Sequence, residues 1–336
     1  MVRIAIDGMG GDHAPAAVIR GIRIFVENNK DGAEITCVCP EEKLKQTERY
    51  DDIPGFKLVY CDGYIPMDTK LSLAIFRNKD TTMHKVIQML KNRQVDVAFS
   101  AGNTALFVSI AIAELGLIEG IDRPAICVHL PNLKDRITLF LDVGANVSSK
   151  PINLYQYAIM GNLYAKYVLG IENPSTGLLN IGEEPGKGDE IRQIVYKKLS
   201  EKNEINFIGN IEGHELFTGK ADVIITDGFS GNIVLKVCEG IGRAFKNIMF
   251  REINRSVAGK IGFLIAKGSI RRYTRKTDYA DYGGGVLLGV DGIVIIGHGR
   301  SSPRAICNAL QLGEKITNSS FIEKLKGQRE KWVQTL

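Results

Sequence analysis

The chain has 336 residues, a formal net charge of +5 and 44% hydrophobic residues. This length allows about two domains of ~150 residues or one larger α/β fold, and the ordinary composition excludes a disordered, collagen-like or coiled-coil chain. The longest apolar run, Ala105–Leu117, contains Glu114 and is shorter than the ~18 residues that span a bilayer. Arg3 and Asp7 interrupt the apolar N-terminus, so we expect no signal peptide and a cytoplasmic protein with reduced cysteines.

The positive charge is concentrated in one segment. Ten Lys or Arg residues and a single acid, Glu252, lie between Arg243 and Lys276, so the rest of the chain is net negative. Binding of nucleic acid by the whole surface is therefore disfavoured, and we expect no nucleic-acid partner. The segment indicates a local anionic partner instead.

Short apolar strands alternate with amphipathic helices along the chain. The first half predicts strand Arg3–Asp7, a helix from Pro15, strands Ile35–Cys39 and Lys57–Cys61, helix Thr81–Gln94, strand Val95–Ser100 and helix Thr104–Leu115. The second half predicts a hairpin of Ala125–Leu130 and Ile137–Val143, helix Pro151–Leu169, strand Gly177–Ile181, helix Glu190–Glu201, strands Ile205–Ile208, Val223–Thr226 and Gly292–Gly297, and helices from Pro303 and Ser320.

This alternation predicts an α/β fold with a mostly parallel sheet and helices on both faces. No low-complexity linker divides the chain, and no boundary between subdomains is readable. We therefore treat residues 1–336 as one αβα domain. A basic amphipathic helical segment at 238–277 is expected to protrude from it.

Five loops that follow predicted strands are rich in Gly, Asn, Ser or Asp. They are 7–13, 100–104, 142–146, 180–188 and 226–232. Ligands of open α/β sheets gather beyond the carboxyl ends of strands, where glycines let backbone amides approach an anion at a helix N-terminus. Each loop alone could be an ordinary tight turn. Together they predict a ligand site, because most of them are expected to meet along one sheet edge.

The common cofactor and nucleophile motifs are missing from these loops. A dinucleotide fingerprint that starts with Gly8 and Gly10 would need its third glycine at position 13, where the chain has His13. The loop 182–188 lacks the Gly-Lys-Ser/Thr ending of a Walker motif. No nucleophile elbow, cysteine-protease signature or complete set of zinc ligands is found. We therefore predict no cofactor, no metal and no covalent nucleophile.

Two residues of the later loops could bind phosphate or an acyl oxygen. Lys187 lies between Gly186 and Gly188 and could bind phosphate, although a solvated loop lysine is nearly as plausible. Asn232 follows Gly231 at a predicted helix start, where its amide could meet a substrate oxygen or simply cap the helix.

Two histidines are further candidates. His13 follows Asp12 and could orient phosphate or shuttle a proton, or it could bond a backbone carbonyl. His298 lies between Gly297 and Gly299 after an apolar strand, a setting typical of a site histidine.

The loop sequences together resemble a known family. The matching strings are Asp7–Pro15, Ser100–Thr104, Leu141–Asn146, Gly177–Glu184, Asn206–Asn210, Asp227–Asn232 and Lys276–Gly284. They resemble the bacterial phosphate acyltransferases, which transfer fatty acyl groups from acyl carrier protein to phosphate in phospholipid synthesis. The strings occur in order over nearly the whole chain. Residues 38–50 and 131–136, together with Pro185 and Gly186, depart from the family pattern.

The resemblance implies a three-layer αβα fold related to phosphotransacetylase and the isocitrate dehydrogenase group, and a homodimer. It also implies a reaction in which phosphate is the nucleophile and the enzyme positions it and stabilises an oxyanion. We expect Lys187, Asn232 and His13 to be catalytic. The expected phosphate or substrate contacts are Gly10, Gly11, Asp12, Ser100, Gly102, Asn103, Asn146, Gly231 and His298. The alternatives are a dehydrogenase of the related fold and a non-catalytic phosphate- or lipid-binding adaptor.

The basic segment carries two apolar stripes at helical spacing, from Ile241 to Ile253 and from Val257 to Ile265, with Ser256 as a possible cap. One interpretation is a helix pair in a dimer interface. Another adds an apolar tip among basic residues that inserts into an anionic membrane surface, which implies peripheral association at the cytoplasmic face. The predicted membrane contacts are Ile261, Phe263, Leu264 and Ile265. The acidic acyl carrier protein is an alternative partner, and a membrane glycerol-3-phosphate acyltransferase that uses acyl phosphate is a further expected one.

Overall fold

The computed structural model describes residues 1–29, 32–45, 47, 49–202, 204–277 and 283–328, with the backbone alone for 271–277. Its strands are β1 (Val2–Asp7), β2 (Ala33–Cys39), β3 (Phe56–Tyr60), β4 (Val97–Ser100), β5 (Ala125–Pro131), β6 (Ile137–Leu141), β7 (Ser175–Asn180), β8 (Asn206–Glu212), β9 (Val223–Ile225), β10 (Gly285–Leu288) and β11 (Ile293–Ile296). Its helices are α1 (Ala16–Asn28), α2 (Glu41–Leu44), α3 (Leu73–Arg77), α4 (Thr82–Lys91), α5 (Thr104–Leu115), α6 (Pro151–Tyr167), α7 (Glu190–Glu201), α8 (Gly228–Asn254), α9 (Val257–Thr277), α10 (Pro303–Asn318) and α11 (Phe321–Lys326).

An eleven-stranded sheet with the order β3-β2-β1-β4-β11-β10-β5-β6-β9-β7-β8 forms the central layer. Seven of the ten strand pairs in the described chain are parallel, and the antiparallel pairs are β11–β10, β10–β5 and β5–β6. After these three reversals, β6, β9, β7 and β8 run opposite to β1, β2, β3, β4 and β11. The carboxyl ends of the two groups therefore lie at opposite edges of the sheet.

Helices cover both faces of the sheet because successive strand residues point to opposite sides. Ile4 and Ile6 of β1 belong to one buried cluster, whereas Ala5 between them belongs to the other. The hydrophobic core on the side of Ile4 contains side chains of α1, α6, α7, α10 and α11. The core on the side of Ala5 contains side chains of α4, α5 and the start of α8. The predicted three-layer αβα fold with a mostly parallel sheet is confirmed.

The predicted strands and helices are present, with ends that differ by a few residues, and three elements were not predicted. These are the short helices α2 and α3 and the strand β10. Strand β10 has only four residues and follows Gly283 and Gly284, both with positive φ, so its pattern is too short to recognise in sequence. Its antiparallel pairing begins the reversal of strand direction in the sheet.

The basic segment forms a helical hairpin of α8 and α9. Helix α8 begins at Gly228, ten residues before the predicted start of the segment. The Ser256 hydroxyl accepts a hydrogen bond from the Gly259 N–H at 2.9 Å and so caps α9, as predicted. Beyond Leu235, none of the described side chains of the hairpin is buried. Among the described residues, no helix combines the length and apolar character needed to cross a membrane.

Candidate active site

A buried carboxylate organises the loop after β1. Asp7 is 1% exposed, and its carboxylate accepts the Ser100 hydroxyl at 2.6 Å and the Met9 N–H at 3.1 Å. The Ser100 hydroxyl oxygen in turn accepts the Gly102 N–H at 3.0 Å. Burial raises the pKa of Asp7, and the hydrogen bond from Ser100 opposes the shift. The first site cluster therefore joins the loops after β1 and β4.

The same cluster includes the loop after β11, because the three loops approach closely. The Asp12 N–H donates to the Gly299 carbonyl at 2.7 Å. A Cβ at Gly10 would lie 2.8 Å from the Ala101 nitrogen, which explains why only glycine fits there. Helices α1, α5 and α10 all begin from these loops, so three positive helix ends face this edge of the sheet.

His298 in this cluster is held as a neutral hydrogen-bond donor. Its Nδ1 accepts the Arg300 N–H at 3.1 Å, which assigns the proton to Nε2. Burial lowers the pKa of His298, the Glu239 carboxylate opposes this shift, and the Lys236 cation adds to it. A neutral imidazole with its proton on Nε2 can donate to a phosphate or carbonyl oxygen.

Other predicted contacts in the first cluster hold the loops themselves. The Asn103 amide donates to the Met67 and Thr69 carbonyls at 2.9 and 3.1 Å, and its Oδ1 accepts the Leu106 N–H as the cap of α5. These bonds occupy Asn103 structurally, which the loop composition alone could not show. By contrast, Asp12 and His13 are exposed.

A second buried carboxylate organises the loop after β6. The Asp142 carboxylate accepts five N–H donors at 2.9–3.0 Å, from the backbones of Ile126, Gly144, Ala145 and Asn146 and from the Asn146 amide. Burial raises the pKa of Asp142, and the bond from Ala145 is the strongest opposing influence. The Asn146 amide also donates to the Pro124 carbonyl at 2.6 Å, so this predicted substrate contact is engaged in holding its own loop.

The start of α8 packs directly on this loop. Asp227, not Asn232, is the N-cap of α8, because its carboxylate accepts the Ser230 N–H at 2.8 Å. Asn232 is exposed in the second turn, and a Cβ at Gly144 would lie 3.4 Å from its Cβ. Gly231 is buried where a side chain would collide with the Asp142 carbonyl. The capping interpretation of Asn232 is thus wrong, and its amide is left facing solvent.

Lys187 lies in a loop that the neighbouring side chains hold in shape. The Asn180 amide donates to the Lys187 carbonyl at 3.0 Å, and the Gln193 amide donates to the Gly186 and Gly188 carbonyls at 3.1 Å. The Lys187 side chain is half exposed, with its Nζ 4.0 Å from the Glu184 carboxylate. The ammonium group is therefore accessible on an ordered backbone.

Arg192 connects the loops of the second cluster, a role that the sequence did not reveal. Its guanidinium bonds the Asp189 and Asp227 carboxylates at 2.6 and 2.5 Å, and its Nε donates to the Leu179 carbonyl at 3.1 Å. Asp189 and Asp227 are the caps of α7 and α8, so Arg192 ties both helix starts to β7. No local pattern marks this residue, because its partners lie as far as 35 residues away.

The predicted residues therefore divide into two clusters, not one row. Residues 7–13, 100–103 and 297–301 lie at one sheet edge, and residues 142–147, 180–188 and 227–233 lie at the other. Helix α8 links them, since it begins in the second cluster and carries Glu239, whose charge acts on His298 of the first. The rise from Asn232 to Glu239 is about 10 Å. Three of the five predicted loops thus meet at one edge, as expected for most of them, and the loops 7–13 and 100–104 lie at the opposite edge.

The predicted membrane contacts lie in α9, outside both clusters. Ile261, Leu264 and Ile265 are exposed. Phe263 is instead half-buried, with its ring 5.4 Å from that of Phe250 in an edge-to-face contact. Phe263 therefore joins α9 to α8 and is the least available of the four.

The cysteine thiols and the Ser100 hydroxyl are poorly suited to nucleophilic attack. Burial raises the pKa of all six cysteine thiols, that of Cys39 to about 12. Ser100 is 1% exposed, and its hydroxyl donates a hydrogen bond to the Asp7 carboxylate. In the parts of the chain that the structure describes, no group of three His, Cys, Asp or Glu side chains could hold a metal. The clusters thus present hydrogen-bond donors and a lysine.

Solved structures with this fold include phosphotransacylases. A branched-chain phosphotransacylase from Enterococcus faecalis V583 covers 94% of this chain and 99% of its own, with a TM-score of 0.59 at 11% identity. The EutD phosphotransacetylase from Staphylococcus aureus covers 94% of both chains, with a TM-score of 0.60 at 14% identity. A structure described as a putative 4-hydroxythreonine-4-phosphate dehydrogenase from Salmonella typhimurium aligns over 94% of this chain and 99% of its own, with a TM-score of 0.52 at 13% identity. The architecture is that of the phosphotransacetylases and related dehydrogenase folds.

Sequence relatives define the family. Residues 2–324 match the family described as fatty acid synthesis protein. The phosphate acyltransferase of Desulfitobacterium hafniense strain Y51 is 40% identical over 328 residues, which cover 97% of each chain. That of Brevibacillus brevis is 38% identical over 331 residues, which cover 98% of each. The chain belongs to the bacterial phosphate acyltransferase family, and it is an acyltransferase.

Proposed function

We propose that the enzyme moves a long-chain fatty acyl group from acyl carrier protein to inorganic phosphate and releases acyl phosphate for phospholipid synthesis. The main support for this proposal is that both clusters offer hydrogen-bond donors and no well-suited protein nucleophile in Ser100 or the cysteine side chains. The clusters offer amide, imidazole and ammonium donors, whereas Ser100 is buried against Asp7 and burial raises the pKa of every thiol. Phosphate titrates near neutrality and can itself be the nucleophile.

In this reaction a phosphate oxygen attacks the thioester carbonyl carbon and forms a C–O bond. The carbonyl oxygen becomes an oxyanion, which then collapses as the C–S bond breaks and the carrier thiol leaves and takes up a proton. We assign Lys187 to the phosphate charge and the Asn232 amide to the developing oxyanion. One such donor typically contributes about 10²–10³ in turnover.

The first cluster is assigned to the anionic groups of the substrates. Its three helix N-termini and the His298 Nε2–H all favour negative charge. The N–H groups of Gly10 and Gly102 already donate to the Asp7 carbonyl and the Ser100 hydroxyl, so these two glycines shape the loops, and Gly11 is assigned to the substrate contact. His13 is exposed in the same cluster and is assigned to orienting an anionic group there.

The test is to incubate the purified chain with palmitoyl-acyl carrier protein and to trap acyl phosphate with hydroxylamine. We expect thioester consumption to depend on phosphate and to need neither metal nor nucleotide. Absence of acyl phosphate would overturn the proposal. Activity that chelation abolishes and a divalent ion restores would contradict its metal-free part.

The hairpin is proposed to serve the dimer and the membrane. The α8 side chains of Ile241, Phe245 and Ile248 are 50–64% exposed at helical spacing, which suits contact with a second copy in a homodimer. The α9 side chains of Ile261 and Leu264 are exposed next to basic residues, which suits an anionic lipid surface at the cytoplasmic face. This position would bring the product to a membrane glycerol-3-phosphate acyltransferase.

A further inference from the structure

Four apolar side chains near Lys187 and Asn232 are exposed to solvent. Val147 and Ile181 are 83% and 82% exposed, and Phe229 and Ile233 are 59% and 48% exposed. Single exposed apolar residues are ordinary on protein surfaces, but four around one polar site call for a partner. We name these four residues the apolar rim.

Backbone and side-chain contacts join the rim residues into one structural unit. Ile181 directly follows Asn180, whose amide holds the Lys187 carbonyl, and its own N–H donates to the Asn180 Oδ1 at 2.8 Å. A Cβ at Gly182 would lie 3.0 Å from Lys187 Cγ, so the chain next to Ile181 lies against the lysine stem.

The other half of the rim lies at the start of α8. Val147 follows Asn146, and Phe229 follows Gly228, which is pressed against the Asn146 backbone so closely that a side chain would collide with it. Ile233 is adjacent to Asn232 in the same helix. Arg192 then connects α8 to the β7 side through Asp227 and the Leu179 carbonyl.

We propose that the apolar rim binds the acyl chain next to its carbonyl carbon and sets the preference for long chains. This inference rests on the proposed function. An acyl phosphate or acyl thioester at this site has a polar or charged head and an apolar tail. Lys187, the Asn232 amide and the positive end of α8 match the head, and the surrounding rim matches the tail.

A second group of exposed apolar residues offers a built-in comparison. Leu71 and Leu73 are 56% and 76% exposed in the segment that Asn103 ties to the first cluster. They lie at the other sheet edge, away from Lys187. If the acyl chain lay there instead, Leu73 and not Ile181 would control chain-length preference.

The experiment compares Ile181→Ser and Phe229→Ser with Leu133→Ser, which removes an equally exposed apolar side chain (83%) outside both clusters. KM and kcat are measured with palmitoyl- and butyryl-acyl carrier protein. We expect each rim variant to raise KM for the palmitoyl substrate by about tenfold, or about 1.4 kcal/mol, because partial apolar burial is lost. We expect the butyryl substrate and the Leu133 variant to be unaffected.

Equal effects on both substrates would overturn the inference, as would a chain-length effect confined to Leu73→Ser. A change in sedimentation mass of the rim variants would assign the rim to contact between copies of this chain and would also overturn it. If the unaltered enzyme forms no acyl phosphate from either substrate, the proposed function fails and not the rim alone.

Discussion

Both clusters contain a buried aspartate that accepts hydrogen bonds, but the donors that surround it differ between the two. In each, the aspartate at the end of a strand accepts hydrogen bonds from the loop that follows. Asp142 accepts five N–H donors, four of them from the backbone. Asp7 accepts the Ser100 hydroxyl and the Met9 N–H. The second loop is thus held by a charge that bonds several backbone amides, and the first by a side-chain pair.

The side chains that cap the helices also differ in charge between the two clusters. In the first cluster the neutral side chains of Asn103 and Ser302 cap α5 and α10. In the second, the carboxylates of Asp189 and Asp227 cap α7 and α8, and both pair with Arg192. Charged side chains therefore support the loops of the second cluster, whereas the capping side chains of the first are neutral. We expect the second cluster to tolerate substitution of its supporting side chains less well.

The largest expected effect comes from changing the two buried aspartates. Asp142→Asn should lower the free energy of unfolding by about 3–5 kcal/mol, because an amide NH₂ would face several N–H donors and the buried charge would be lost. Asp7→Asn should cost about 1–3 kcal/mol, since fewer donors lose their acceptor. Urea unfolding of both variants is the measurement. Equal losses would show that the difference in donor number has no energetic meaning.

His129 in β5 should make the free energy of unfolding depend on pH on the acid side. Burial lowers the pKa of His129 in β5 from 6.5 to about 4, and neither ring nitrogen has a hydrogen-bond partner among the described residues. Between these values the unfolded chain binds a proton that the folded chain does not, so stability is full above pH ~6.5 and falls as the pH drops towards ~4. The total loss is about 3 kcal/mol.

Urea unfolding of His129→Phe at several pH values tests this, with His298→Gln as the cluster control. Phenylalanine keeps the ring contact with Tyr164, whose centroid is 5.5 Å away, and cannot be protonated. We expect His129→Phe to remove most of the acid-side slope. If His298→Gln removes more of it, the clusters and not the core set the pH dependence.

Substitution of the exposed donors should separate activity from stability. Lys187→Ala and Asn232→Ala should each lower kcat by about 10²-fold or more, equivalent to about 2.7 kcal/mol, because each donor is proposed to meet developing charge. The free energy of unfolding should change by under ~0.5 kcal/mol, because both side chains are accessible at the surface. Stopped assays and urea unfolding measure the two quantities. Near-normal turnover, or early melting, would contradict the assignment.

The smallest effect on catalysis is expected for Leu264 in α9, which lies outside both clusters. Leu264→Glu should abolish binding to anionic liposomes while soluble activity stays unchanged, because a carboxylate at the tip opposes both insertion and attraction to lipid. Leu73→Glu adds the same charge at a site that is 76% exposed outside the hairpin and is the matched control. Co-sedimentation at low and high salt is the measurement. Equal sedimentation of both variants would assign the basic segment to another partner.

The sequence by itself determined the local structure and the candidate loops. Apolar periodicity reports which face of an element is buried, so it correctly predicted β1, β4 and most helices, including the Ser256 cap of α9. Glycine-rich strings after the strands marked both clusters. Their joint pattern indicated the family, because loops that bring backbone amides close to a ligand need glycine and small polar residues at fixed positions.

Only the tertiary structure decided which loops share an edge. Periodicity carries no information on strand direction, and the four-residue β10 hid the reversal that separates residues 7–13 from 142–147. Long-range side-chain contacts were likewise invisible: Arg192 meets Asp227 across 35 residues, and Phe263 turns inward onto Phe250. Such contacts depend on how elements pack, because the same polar or apolar residue can face solvent or a neighbour at equal local spacing.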